Sequence, residues 1–138
     1  MHPLSTPKLK LIVQDLDLGV NEQENMVLLM ERLDSQQLDI QDLLQEVDRI
    51  AFRKQRTLNL IALTCWENGL HDYVIPFLQQ ALDYGPRDAD TLFNLGFILS
   101  CLNEHRLSLQ FLDRIENKDS EIIALIEEVK LQANRIPF

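Results

Sequence analysis

Two histidines, His71 and His105, stand 34 residues apart, and each follows a cysteine, Cys65 and Cys101, in an apolar stretch. These are the side chains that could ligate a metal ion or pair a nucleophile with a base. Metal sites draw several ligands from closely spaced positions, such as C-x-x-C pairs or two histidines one helical turn apart. Neither histidine belongs to a C-x-x-C or paired-histidine pattern of that kind, so both are expected to pack at a helix–turn corner. Neither cysteine has an activating base in view, and a thiol in apolar surroundings behaves as a small hydrophobe. Two cysteines in a chain of 138 residues do not make a disulfide framework. A Gly-rich phosphate loop, a G-x-S-x-G elbow and an H-E-x-x-H pair are all missing from the sequence. Carboxylate pairs such as Glu127-Glu128 read as a solvated helix face. The expectation is a protein that is not an enzyme, with no catalytic residue, metal or cofactor.

Charge narrows the partners. The formal net charge is −9, and the acidic excess is spread along the chain from residue 21 onward with no basic stripe. A phosphate-backbone footprint is therefore absent, which argues against nucleic acid, and the same reasoning argues against an anionic membrane surface. Leu9–Val13 is too short for the apolar core of a signal peptide, and no stretch approaches the ~20 apolar residues of a membrane span. A cytoplasmic protein is expected. Hydrophobic residues make up 46 % and charged residues 25 %, ordinary for a folded domain, and four Gly and five Pro favour helices over strands. At this length one domain is expected.

The elements that would position these residues follow from apolar spacing and turn residues. Thr6-Pro7 and Gly19 bracket a helix over 7–19, with Leu9, Ile12, Val13 and Leu16 on one face. A short strand through Leu9–Val13 is the competing reading. Asn21 and Glu24 form a capping-box pattern for a helix to about Leu33, which Asp34-Ser35 breaks. A strongly amphipathic helix from about Gln36 to Phe52 carries Ile40, Leu43, Leu44, Val47 and Ile50 on one side. Thr57–Asn68 is an apolar helix stopped by Gly69, and Asp72 is placed to cap its partner, which ends at Tyr84 before Gly85-Pro86. A further pair spans Ala89–Leu102 and Arg106 to about Ile115. Asp119-Ser120 caps a last helix, with Ile122, Ile126 and Val129 among its apolar positions.

The chain also resembles itself at an offset of 34 residues. Thr57-Leu58 returns as Thr91-Leu92, Ile61 as Leu95, Ala62 as Gly96, Cys65 as Leu99, His71 as His105, and Phe77-Leu78 as Phe111-Leu112. That period is the length of a helix–turn–helix unit that buries its apolar face only by stacking on a copy of itself. The pattern resembles the tetratricopeptide repeat (TPR) family. In a repeat begun at Gln55, Leu58, Ile61, Ala62, Cys65, Gly69, Val74 and Leu78 fall in the family's slots, and Ala81 and Pro86 match outright. In the next, Leu92, Leu95, Gly96, Leu99, Ser108 and Leu112 follow in order. Small residues at 62, 96 and 108 let two helix backbones approach. The second copy departs at Asn103, Ile115 and Ser120, and residues 21–54 form a degraded copy with Glu24 in the Trp slot.

The resemblance implies an all-α, TPR-like stack of antiparallel helix pairs, an α-solenoid with right-handed superhelix. An N-terminal helix over 7–19, a degraded repeat over 21–54, repeats over 55–88 and 89–120 and a capping helix over 121–135 would form a single domain. It also implies a concave groove lined by first helices, here Asn59, Leu63, Trp66 and Glu67 with Asp90, Phe93, Asn94 and Phe97. The apolar members imply a protein or peptide ligand with an apolar or amphipathic segment. Core or dimer-seam burial is the competing reading for Phe93 and Phe97, and Trp66 belongs to the groove or its edge. Family members suggest a non-catalytic binding adaptor. An accessory domain of a bacterial glycosyltransferase or other enzyme, a small acidic secretion chaperone, and a structural homo-oligomer (including a homodimer) are the alternatives.

Overall fold

A computed structural model of the chain describes residues 8–135. Among these residues the backbone forms α1 Leu9–Leu18, α2 Glu22–Asp34, α3 Ile40–Ile50, α4 Lys54–Glu67, a 3-10 turn His71–Tyr73, α5 Val74–Tyr84, α6 Ala89–Cys101, α7 His105–Leu112 and α8 Ser120–Arg135. The protein is all-α. The expected helix start at Thr6-Pro7 lies outside the described residues, and the strand reading of Leu9–Val13 fails because α1 runs through it. The chain divides into two compact units, the first ending at Ala81 and the second beginning at Leu82, within α5.

In the first unit α1 packs against α2, α3 and α4, and α4 packs against α2 and α3. Ile12, Val13 and Leu16 of α1 are fully buried, as are Leu29 and Leu33 of α2, Leu43 and Val47 of α3, and Leu58, Ile61 and Cys65 of α4. The expected helix over 36–52 begins later, at Ile40. Gln36 takes a left-handed backbone (φ 63°), and the Leu38 amide donates to the Arg32 carbonyl at 3.1 Å, which closes α2 before α3 can start.

Two expected caps are not made. Asn21 is itself left-handed (φ 48°) and makes no side-chain cap; its carbonyl instead accepts from both the backbone and the side-chain amide of Asn25, each at 3.0 Å. Asp72 lies inside the 3-10 turn, where the Tyr73 amide donates to the Leu70 carbonyl at 3.2 Å and leads the chain into α5 without a carboxylate. Asp119 does cap α8, accepting from the Ile122 amide at 2.9 Å.

The start of α4 is held by a residue from far upstream. Asp17, 2 % exposed at the end of α1, accepts from the Phe52 and Arg53 amides at 2.9 Å each and from the Thr57 hydroxyl at 3.1 Å. The Arg53 guanidinium in turn donates to the Asp17 carbonyl. Burial alone would push the Asp17 carboxyl upward. The Phe52, Arg53 and Thr57 hydrogen bonds and the Arg53 charge outweigh it, and the group sits below its ordinary value. At α6 the same task is local: Asp88 accepts from the amide and hydroxyl of Thr91 at 3.1 and 2.6 Å. The residue 34 positions before Asp88 is Lys54, which cannot cap, so α1 supplies the carboxylate.

In the second unit α6 turns back through Leu102–Glu104 into α7, and α8 packs against both. Leu92, Leu112, Ile115, Ile122, Ile126 and Val129 form its core. Gly96 lets α7 come close. A Cβ there would meet the Leu112 side chain at 2.4 Å, and the Ser108 hydroxyl donates to the Gly96 carbonyl at 2.5 Å.

The corners after α4 and α6 share one geometry, 34 residues apart. The Leu70 amide donates to the Cys65 carbonyl at 2.8 Å, and the Glu104 amide to the Leu99 carbonyl at 2.8 Å. Gly69 (φ 77°) and Asn103 (φ 65°) make the left-handed step, a conformation that Gly adopts freely and Asn tolerates. The replacement of Gly by Asn therefore leaves the corner unchanged.

Candidate partner-binding surface

Of the residues expected on α4, Asn59 is buried, and its amide donates to the Gln55 carbonyl at 2.7 Å one turn back. Leu63 is half-buried, and Glu67 is exposed at the last position of the helix. Trp66 is half-buried and stacks on His71, with ring centroids 4.1 Å apart and planes 24° from parallel. His71 thus has the packing role expected at the corner.

His105 occupies the same slot but is buried, and its Nδ1 has no hydrogen-bond partner among the described residues. The counterpart of Trp66 is Ser100, so no indole stands at that corner for the second imidazole to stack on.

On α6, Asp90 and Phe97 are exposed, whereas Phe93 and Asn94 are half-buried. Phe93 packs against the core of the second unit. Phe97, one turn on, is 41 % exposed. The two phenylalanines therefore differ in role. Phe93 anchors α6 to its own core, and Phe97 offers an aromatic surface to solvent.

Cys101, one further turn along, is exposed and is pushed up by partial burial and by the nearby Glu128 carboxylate of α8. Glu128 is therefore near enough to Cys101 for its charge to act on the thiol. Sequence reasoning assigned it only to a solvated face, because nothing local marks which helix an exposed carboxylate will approach. Burial pushes the Cys65 thiol up to about 12. Neither thiol is poised as a nucleophile, since the thiolate is the reactive form. Among the described residues no group of three or more His, Cys, Asp or Glu side chains is arranged to hold a metal ion, and no helix is long and apolar enough to cross a membrane.

The first unit also carries a cleft that the sequence did not suggest. Its volume is about 370 Å³, and it lies between the end of α2 (Leu33, Asp34, Gln36) and the corner after α4 (Gly69 to Tyr73). A smaller depression of about 170 Å³ shares Asp34 and Leu70 with it and adds Glu31. The Tyr73 hydroxyl reaches the Leu33 carbonyl at 3.4 Å across the wall. No run of residues could have announced this cleft, because its two sides are more than thirty positions apart.

No protein-family model matches this chain, and no match is found among the curated proteins.

Proposed function

We propose that the chain is a non-catalytic adaptor, built as a TPR-like stack of helix pairs, that binds an apolar or amphipathic segment of a protein partner. The observation that carries this reading is the exposed aromatic edge of α6. Phe97 is left 41 % exposed on a helix whose Leu92, Leu95 and Ile98 are at most 1 % exposed. An aromatic ring kept at the surface of a chain with net charge −9 suits a partner helix with apolar anchors and basic flanks. The equal corners at Gly69 and Asn103 and the close approach at Gly96 support the repeat reading. The free thiols of Cys65 and Cys101 suit a reducing compartment such as the cytoplasm.

The test is affinity capture from the native cell extract with wild type beside Phe97→Asp. Phe93 is left intact because it packs against the core. A partner held by wild type and lost by a folded Phe97→Asp protein is the expected result. A partner held equally by both proteins refutes the α6 edge as the docking surface.

A further inference from the structure

We propose that Asn68 is a modification site: its side chain closes onto the following backbone nitrogen and is converted to aspartate and isoaspartate when the corner after α4 opens. The inference concerns the first unit alone and does not rest on the α6 edge.

The sequence selects the residue. Of the eight asparagines in the chain, only Asn68 is followed by glycine. Ring closure brings the backbone nitrogen of the next residue onto the asparagine side-chain carbonyl. A Cβ on that residue obstructs the approach, and glycine has none. Asn68 and Gly69 are both exposed, so water reaches them. Around Gly69 the space is open, with nothing within 4 Å of where a Cβ would stand. The matching corner of the second unit reverses the order. There Asn103 takes the left-handed step and Glu104 follows it, so the nitrogen next to the asparagine is hindered.

The chemistry needs only water. The Gly69 nitrogen bonds to Cγ of Asn68 and gives up its proton, the side-chain nitrogen leaves as ammonia, and a five-membered imide remains. Water then opens either imide carbonyl. One opening yields aspartate; the other yields isoaspartate, in which the main chain runs through the side chain and is one carbon longer. The sum is one water taken up and one ammonia released.

The fold decides when this happens. At rest both reacting groups are engaged: the Asn68 side-chain amide donates to the Thr64 carbonyl at 2.8 Å, and the Gly69 amide to the Trp66 carbonyl at 3.3 Å. Asn68 sits at φ −97° and ψ 9°, which turns the Gly69 nitrogen away from the Asn68 side chain. Closure therefore requires rotation about ψ and rupture of the Gly69 bond. The Trp66–His71 stack, 4.1 Å between centroids, spans the two residues and resists that rotation. Exposed helix ends open more readily than the core, so the reaction proceeds slowly in the folded chain. The new carboxylate would stand beside Glu67 at the end of α4, where a negative charge is disfavoured. Isoaspartate would also lengthen the chain just ahead of the left-handed Gly69 and disturb the path into α5.

The experiment holds the full wild-type chain at mildly alkaline pH, in native buffer and in denaturing urea, beside His71→Ala in native buffer. Mass spectrometry of the peptide carrying residue 68 counts conversion, and chromatography separates aspartate from isoaspartate. His71 is exposed, so its variant should fold, and circular dichroism checks it. We expect Asn68 to convert before any other asparagine and to give both products. Conversion should be at least about tenfold slower in native buffer than in urea. Loss of the stack should speed the native reaction by roughly two- to tenfold. An Asn68 that stays intact in urea, or another asparagine converting as fast in the native chain, overturns the site. Equal rates in native buffer and urea overturn the gating, as does His71→Ala reacting at the wild-type rate. Should His71→Ala unfold, the native and urea rates of wild type decide the gating alone.

Discussion

Replacing Asp17 by Ala removes a carboxylate that satisfies three donors at the start of α4. The donors are the Phe52 and Arg53 amides at 2.9 Å and the Thr57 hydroxyl at 3.1 Å. A hydrogen bond to a charged acceptor contributes about 1.5–3 kcal/mol, and a buried donor left unpaired costs about 1–3 kcal/mol. The side chains of Phe52 and Arg53 are exposed, so water can reach their amides and the low end applies to those two. Thr57 is fully buried and has no such escape. The sum is roughly 3 kcal/mol, a large share of the ~5–15 kcal/mol that separates folded from unfolded domains.

Urea denaturation followed by circular dichroism should show the midpoint falling by about 1–3 M, given slopes of ~1–3 kcal/mol/M. Asp17→Asn keeps one acceptor oxygen but turns an amide donor toward other donors, so its loss should be only slightly smaller. The cycle with Thr57→Val isolates the hydroxyl bond: the Thr57→Val cost, about 1 kcal/mol in wild type, should vanish when Asp17 is already Ala.

Acid gives a second readout. The folded Asp17 carboxyl is held below its ordinary value of 3.8, so its contribution is complete above the unfolded pKa of ~3.9 and is lost as pH falls through the folded value. The gap between wild type and Asp17→Asn should therefore stay constant from neutral pH down to about 5 and close below about 4. A loss under about 1 kcal/mol for Asp17→Ala, or a Thr57→Val cost that is the same in both backgrounds, refutes the reasoning.

Gly96→Ala places a Cβ 2.4 Å from the Leu112 side chain and should cost about 1–3 kcal/mol by thermal or urea unfolding; combining it with Leu112→Ala should cost less than the two changes summed. Thiol titration of the native protein at mildly alkaline pH should label Cys101 and spare Cys65, whose thiol is buried and pushed up to about 12. Both should react in denaturant, and native labelling of Cys65 would refute its burial.

Much of the fold was legible because helices are decided locally. The i, i+3, i+4 spacing of Ile12, Val13 and Leu16 needs only their own neighbours to specify a buried stripe, and all three are buried. Gly19 and Gly69 mark helix ends because a left-handed step is local to one residue. The caps show where that logic stops. Asn21 and Asp72 are the right residue types, yet neither side chain caps, because backbone bonds within their own turns arrive first. The candidate site was legible only as a set of positions on α4 and α6. Nothing in an eight-residue window distinguishes Phe93, which packs against the core of the second unit, from Phe97, which meets solvent. Glu128 beside Cys101, and the cleft walled by α2 and the corner after α4, were likewise out of reach.

By itself the sequence determined an all-α chain, the places where its helices end, and the likeness of residues 57–78 to residues 91–112. Tertiary structure decided which side chains serve those helices. Thr57 and Thr91 are the same residue in the same slot, both fully buried. Thr91 finds its carboxylate three positions earlier, at Asp88, while Thr57 must wait for Asp17, forty positions upstream. A hydrogen bond between near neighbours is written in their spacing. One between distant residues exists only after the apolar face of α1 has been driven against α4, and hydrophobic burial, which has no direction of its own, does not announce the partner in advance.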